Sequence, residues 1–307
     1  MRIAIIGTGG IGGYFGGVMA KAGFDVTFVA RGEHLKAMQT NGLTVKSILG
    51  DFKLERVNAT DRISELEGAD LIIVGVKAWQ VKDVALEIKP IVTTNTIVLP
   101  LQNGVSAIDD LKEHLNEASI IGGLCRIFSK VEAPGIINHF GVNPSIEFGE
   151  INRLETDRIQ RVKDLFDKSG IRSTISADIT ADLWRKFITN CVSGLLAITQ
   201  STYGELREIK ETRAMMCDLF SEIFELSQKI GIRLEADFVA KTVALIDTYP
   251  YHSTSSLTRD IWAGKPSEIE YQNGMVVKLG TKFGVDTPIN RLVYHCILPM
   301  ELKARRK

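Results

Sequence analysis

The sequence predicts an α/β protein, with an N-terminal Rossmann-type, doubly wound sheet followed by a second, all-α domain. Three observations carry this. Gly7-Thr8-Gly9-Gly10-Ile11-Gly12 stands between an apolar strand pattern and a helix pattern, and strands and helices then alternate to about residue 177. Beyond that point strand signals vanish and long helical periodicities take over, so the expected domains are 1–177 and 178–307.

Arg2 to Gly7 reads as a buried strand, Ile11 to Ala22 as a helix in spite of its glycines, and Asp25 to Arg31 as a second strand, together a βαβ unit. The alternation continues with a strand at Leu71 to Val76, a helix at Val81 to Ile88, a strand at Thr96 to Leu101 and a helix at Val105 to Leu115. From Ile120 to Phe148 the runs are short and extended, broken by Pro134-Gly135 and Asn143-Pro144, which suggests antiparallel edge structure. Arg158 to Ser169 is helical again, and Ile171 to Ile175 is the last expected strand. In the second domain, helical patterns cover Ile179 to Leu196, Arg207 to Ile230 and Ala236 to Thr248.

Composition narrows the partners. Lys+Arg and Asp+Glu both total 37 in 307 residues, so no net field draws the chain to nucleic acid or to an anionic membrane. The basic tail Lys303, Arg305, Arg306, Lys307 reads as a solvated end and is assigned no function. Cys125, Cys191, Cys217 and Cys296 are spaced for neither a zinc knuckle nor a Cys-x-x-Cys pair, and read as buried thiols of a reducing cytoplasm. The five histidines are scattered, so no metal site is expected. Ile3 to Ile6 is too short for a signal-peptide core, and no segment approaches the roughly 18 apolar residues of a membrane helix. A cytoplasmic protein acting on a small molecule is the expectation.

In its strand–turn–helix setting the glycine loop reads as a dinucleotide cradle, formed by Gly7, Thr8, Gly9, Gly10, Ile11 and Gly12. Its first glycine permits the tight turn, the second lets a pyrophosphate approach the backbone, and the third lets the helix pack on the sheet. Gly13, Gly16 and Gly17 follow within the helix, each costing about 1 kcal/mol relative to alanine when exposed, which calls for close packing or cofactor room as an offset. At the end of the second strand, where NAD-binding domains carry a carboxylate for the ribose, this chain has Arg31, a residue able to grip the 2′-phosphate of NADP(H). Glu33, two residues on, keeps NAD open. Lys77 and Asn103-Gly104 lie where strands end, on the ligand-lining edge of such a sheet, although a strand-end lysine also simply marks the return to solvent.

In the helical domain, Lys186 and Asn190 are four residues apart and share a helix face. Ser255-Ser256 opens an apolar helix, where Ser256 has an ordinary capping role, and Glu268 precedes Tyr271 in a position ordinary for a first helical turn.

Taken in order, these segments resemble the ketopantoate reductase family over nearly the whole chain: the glycine loop, Arg31, Lys77 with Gln80, Gln102-Asn103-Gly104, Trp184-x-Lys186-x-x-x-Asn190, and Ser255-Ser256 through Asp260 to Glu268-Ile269-x-Tyr271-x-Asn273-Gly274. The resemblance implies NADPH-dependent reduction of 2-dehydropantoate to pantoate, in the pathway to pantothenate. By the same matching Lys186 is the proton donor, and Asn103 lies near both nicotinamide and substrate. Asn190 and Ser256 bind substrate, Glu268 belongs at the cofactor end, and Lys77 is a cofactor contact. Dimers are common among related enzymes, which leaves a homodimer open for this chain.

Departures from the family pattern bear on the substrate. The second asparagine of the lysine helix is replaced by Gly194, a further asparagine is missing near Tyr203-Gly204, and Ser253 occupies another polar position. These changes touch the groups expected to hold the far end of the substrate, not the proton donor. A reductase of another branched 2-oxo acid, and an NADPH-binding redox sensor without turnover, are therefore the alternatives.

Overall fold

The amides and carbonyls of the apolar N-terminal strand find partners on both sides, in a computed structural model that describes residues 1–306; Lys307 of the basic tail lies outside the described residues. Residues Met1–Gln102 and Ser106–Ile179 form one unit, whereas Asn103–Val105 and the residues from Thr180 onward form another.

The N-terminal unit runs β1 (Arg2–Ile6), α1 (Gly10–Lys21), β2 (Asp25–Val29), α2 (Gly32–Asn41), β3 (Leu43–Ser47), β4 (Phe52–Leu54), β5 (Asn58–Thr60), β6 (Leu71–Val74), α3 (Val81–Ile88), β7 (Ile97–Pro100), α4 (Ala107–Lys112), β8 (Gly122–Ala133), β9 (Ile136–Gly149), α5 (Asp157–Lys168) and β10 (Arg172–Ile175). The first sheet is parallel throughout, in the order β5-β2-β1-β6-β7, with Ile5 opposite Phe28 on one side and Ile73 on the other. Its central strands are buried on both faces, which is why they read as unbroken apolar runs rather than as alternating ones.

A second sheet, in the order β10-β9-β3-β4 with β8 also on β9, replaces the edge structure expected after Ile120. Pro134-Gly135 makes a turn, and although Asn143-Pro144 lies within the span of β9, the pairing of β9 with β8 is interrupted there, its register jumping from Phe140 opposite Phe128 to Ser145 opposite Arg126. β8 and β9 form one extended antiparallel hairpin, and β10 pairs with β9 in parallel instead of extending the first sheet. Helix α1 touches both sheets. A side chain on Gly16 would collide with Ile5 and Phe28 of the first, and one on Gly13 with Ile137 of the second. Those glycines are therefore packing residues.

The second unit is helical: α6 (Ile179–Thr199), α7 (Tyr203–Glu208), α8 (Lys210–Ile230), α9 (Phe238–Asp247), α10 (Ser256–Trp262), α11 (Asn273–Phe283) and α12 (Pro288–Arg305). Its core gathers Phe187, Leu195, Phe220, Ile223, Val276 and Val293. The single helix expected from Arg207 is divided at Ile209, whose extended backbone ends α7 and starts α8. Among the described residues no helix is long and apolar enough to cross a membrane, and no cluster of three or more His, Cys, Asp or Glu is placed to hold a metal ion. Of the cysteines, Cys125 and Cys191 are buried, but Cys217 is half-buried and Cys296 exposed, contrary to the expectation of four buried thiols.

One link inside the N-terminal unit titrates. His34 on α2 accepts a hydrogen bond at Nδ1 from the Gly135 N–H of the β8–β9 turn, 3.0 Å away, which requires that nitrogen to be unprotonated. Burial pushes the imidazole pKa down, against a smaller upward pull from the Thr8 backbone. The unfolded chain therefore takes up the proton first. Stability from His34 is complete above about pH 6.5 and is lost as the pH falls through the lower native pKa. Thermal unfolding followed from pH 7 to pH 5 should show the wild-type midpoint falling more steeply than that of His34→Gln; parallel slopes would remove His34 as the cause.

Candidate active site

The glycine loop begins where β1 ends. Gly7 has φ +92°, the left-handed region that a β-carbon disfavours, and a side chain there would also meet the Val76 backbone nitrogen at 2.7 Å. Thr8 is buried and ties the loop to the end of β2, its N–H and its hydroxyl both donating to the Val29 carbonyl at 3.1 and 2.9 Å. Side chains at Gly10 and Gly12 would strike the carbonyls of Ser129 and Gly7.

Gly9 is different. A β-carbon built there meets no atom within 4 Å among the described residues, so internal packing does not explain the glycine. It occupies the N-cap of α1 in extended conformation, without a capping side chain and with no acidic residue in the first turn. Unclaimed first-turn amides at the positive end of a helix, beneath an open backbone, suit an anion. The residues present thus fit the phosphates of a dinucleotide.

Two basic residues follow the strands that flank this loop. Arg31 comes just after β2 at the N-cap of α2, is largely exposed, and stands 3.9 Å from the carboxylate of Glu87, a loose surface pair that leaves its guanidinium open to a stronger anion. Lys77 follows β6, also exposed, with its ammonium 5.8 Å from the centre of the Trp79 ring. Gln102 braces this edge from behind: its buried side-chain amide donates to the carbonyls of Val74 and Val76 at 2.8 and 3.0 Å, stapling the end of β7 to the end of β6.

In the helical unit, α6 carries Lys186 and Asn190 one turn apart, both half-buried. Asn103–Val105 belongs to this unit although it leaves the last strand of the first sheet. Gly104 makes that possible, with φ +95° and the Tyr271 carbonyl 2.7 Å from where a β-carbon would lie. Asn103 donates from Nδ2 to Glu268 Oε2 at 3.3 Å, and Glu268 is only 8% exposed. At the start of α10 the cap is Ser255, whose hydroxyl accepts the Thr258 N–H at 3.0 Å, so the capping role expected of Ser256 is misplaced by one residue. Ser256 is the first residue of the helix and is exposed. Thr258 then bonds the Ser193 carbonyl at 2.9 Å, which docks the beginning of α10 on α6 just beyond Asn190. The structure thus joins Asn103 to Glu268, sets Lys186 beside Asn190, and brings the helix start bearing Ser256 onto α6; Gly7 to Gly12, Arg31 and Lys77 lie in the N-terminal unit.

The departures from the family pattern turn out to be packing positions. A side chain on Gly194 would run into Asn273 Oδ1 and Val293, so this face of α6 is closed by other residues of the core. Asn273, quoted in the sequence only as part of a motif, is fully buried and donates to the Cys191 carbonyl at 3.0 Å and to Asn290 Oδ1 at 2.9 Å. Gly204 lies under the ring of Tyr251, and the Tyr203 N–H donates to the Ser253 carbonyl at 3.1 Å. Burial holds the Tyr203 phenol well above its usual pKa, and its hydroxyl is bonded to Ser193.

A parallel sheet with a glycine loop, followed by a helical unit carrying a lysine–asparagine pair, defines a dinucleotide-binding protein of two-unit design. Comparison with known proteins places it further. The family model described as ketopantoate reductase PanE/ApbA matches residues 3–153, and its C-terminal counterpart matches residues 178–301. The chain belongs to the ketopantoate reductase family. It is 30% identical over 301 residues to a 2-dehydropantoate 2-reductase from Nostoc, covering 96% of this chain and 93% of that protein. A ketopantoate reductase structure from Ralstonia eutropha superposes with a TM-score of 0.90 at 30% identity, over 99% of this chain and 100% of that one. The fold is also that of a D-mandelate dehydrogenase solved with NADH and anilino(oxo)acetate, with a TM-score of 0.89 at 24% identity over 99% and 100% of the two chains.

Gly9→Ala tests the cradle. Because nothing packs there, the melting temperature should stay unchanged while the dissociation constant for NADPH, followed by its fluorescence, rises about ten-fold or more. Unchanged affinity would make Gly9 an ordinary loop residue.

Proposed function

We propose that this protein reduces a 2-oxo acid with NADPH, and that its substrate is 2-dehydropantoate, the product being pantoate. The observation that carries the reading is Lys186 one turn from Asn190 on α6, in a chain of this family whose Asn103 is held by Glu268 in the same unit. NADPH, when bound, supplies the hydride that reaches the 2-oxo carbon.

The chain's own residues handle the charge that results. The Lys186 ammonium stabilises the negative charge growing on the carbonyl oxygen and then donates its proton to that oxygen. Asn190, a turn away, orients a polar group of the substrate beside the ammonium. Ser256, with the first-turn amides of α10 other than that of Thr258, which Ser255 caps, serves the substrate carboxylate, the anion for which a helix N-terminus is suited. On the cofactor side, Gly7 to Gly12 take the pyrophosphate, Arg31 the 2′-phosphate, and Lys77 and Glu268 further contacts.

A second substrate reading has its own support. Where the family pattern has a second asparagine on α6 this chain has Gly194, and the space beside it is taken by Asn273 and Val293, so one polar group expected at the far end of the substrate is absent. Its loss suits a shorter or more apolar branched 2-oxo acid. Loss of NADPH absorbance with 2-dehydropantoate and 2-oxoisovalerate, assayed side by side, decides between them: greater kcat/KM on 2-dehydropantoate is expected, and the reverse order moves the function to the second substrate. Lys186→Ala should lower kcat by about 10²–10⁴ while leaving NADPH affinity intact. If neither acid is reduced by the wild type, the reductase reading fails and an NADPH sensor takes its place.

Nucleotide choice rests on Arg31. Arg31→Ala should weaken NADPH binding by about ten-fold and leave NADH binding unchanged, because only the former carries the 2′-phosphate that a guanidinium can fork. Equal affinity of the wild type for both nucleotides would exclude this role.

A further inference from the structure

The basic C-terminal run, to which the sequence assigns nothing, contains a residue with a defined task. Ser267 directly precedes Glu268 and is completely buried. Its N–H donates to Glu301 Oε2 and Oε1 at 2.9 and 3.2 Å, and its hydroxyl donates to Oε2 at 2.6 Å. Glu301 comes from α12 and is 5% exposed. One turn further along that helix, Arg305 neutralises it with Nε 2.6 Å from Oε1. The same guanidinium donates from Nη2 to the Ser267 carbonyl at 3.2 Å.

Every hydrogen-bonding group of Ser267 is thereby engaged by two charged side chains of one helix. Charge-assisted bonds of this kind are the stronger ones, and a buried carboxylate that lost them would be left with an uncompensated charge. The carbonyl that Arg305 holds belongs to the peptide bond entering Glu268. Fixing that peptide plane, together with the Tyr271 N–H bond to the Glu268 carbonyl at 2.9 Å, restricts the direction in which the Glu268 side chain leaves the backbone, and Glu268 in turn receives the Asn103 amide. A local loop of Lys265-Pro266 followed by a short helical turn at Ile269–Tyr271 has little regular structure of its own to impose that direction.

We infer that Ser267, Glu301 and Arg305 are positioning residues, which hold Glu268, and through it Asn103, in the orientation the site requires. The inference rests on the placement of Glu268 and Asn103 in the site proposed above. α12 thus acts on the site through the Ser267–Glu268 backbone.

A double-mutant cycle on the full-length protein tests it, using Glu301→Gln, Glu268→Gln and the pair, with NADPH dissociation constants, kcat/KM and melting temperatures for each. Glu301→Gln alone should reduce kcat/KM or NADPH affinity by about ten-fold, and should add less than about two-fold once Glu268 is already changed, because coupled residues are not additive. Its effect on melting temperature should be the same in both backgrounds, since that loss arises at Ser267. Arg305→Lys, which keeps a charge beside Glu301, should recover much of the function lost in Arg305→Ala. Independent effects of Glu301 and Glu268 on binding and turnover overturn the positioning role alone. A silent Glu268→Gln overturns it together with the placement of Glu268 in the site. Should Glu301→Gln not fold, Ser267→Ala carries the same cycle, since it deletes only the hydroxyl bond.

Discussion

Helix α1 is confined between two sheets, and much of the N-terminal unit follows from that constraint. A helix with ordinary side chains is about 10–12 Å across, too wide to bring its backbone against a sheet on each side. Glycines at 12 and 16 lower the profile toward Ile5 and Phe28, and those at 13 and 17 lower it toward Ile137 and Val45. The residues that narrow the helix weaken it intrinsically, by roughly 1 kcal/mol each, and burial of the flanking apolar surface on both sides offsets that loss. Because the helix is held along its length by packing, its first turn is held too. The amides that face an incoming phosphate are therefore placed by the core rather than by the loop.

The helical unit uses a different device. Its central helix, α6, is gripped through its backbone: Asn273 bonds the carbonyl of Cys191, Thr258 that of Ser193, and Trp262 that of Ala197. A helical carbonyl already accepting its in-helix bond has a second lone pair for such a contact. Directional bonds of this kind fix rotation about the helix axis, which apolar contacts alone leave loose. The face bearing Lys186 and Asn190 inherits that orientation. Glu222 extends the network, capping α12 through the Ile289 and Asn290 N–H groups and receiving the Asn290 side-chain amide.

What was legible in the sequence was whatever depends on neighbours along the chain. The βαβ start, the lysine–asparagine spacing and the change to helices after about residue 177 all rest on local periodicity, and the structure follows them closely. The second sheet was not legible, because β3 and β4 are short and, although they pair with each other locally, β3 joins the sheet only through β9, more than 80 residues away. The cap at Ser255 was lost to its identical neighbour, since two adjacent serines give the same local signal. Arg305 looked like solvated tail, and only the fold brings Ser267 beside it. The four-residue spacing of Glu301 and Arg305 was a usable clue, but a helical ion pair of that spacing is common on surfaces.

The pairing of Gly194 with Asn273 shows how two positions of the helical core lock one another. The Asn273 amide is held by two acceptors, the Cys191 carbonyl and Asn290 Oδ1, so its nitrogen must face them and its oxygen must face away. Reversing the amide would set an oxygen against two oxygens. The displaced Oδ1 is buried without a hydrogen-bond partner among the described residues and points along the direction a side chain on Gly194 would take. An unsatisfied buried acceptor costs about 1–3 kcal/mol. No larger residue enters position 194 while Asn273 keeps this orientation. The two positions are therefore bound to change together, one turn beyond Asn190, while Lys186 two turns earlier is left untouched.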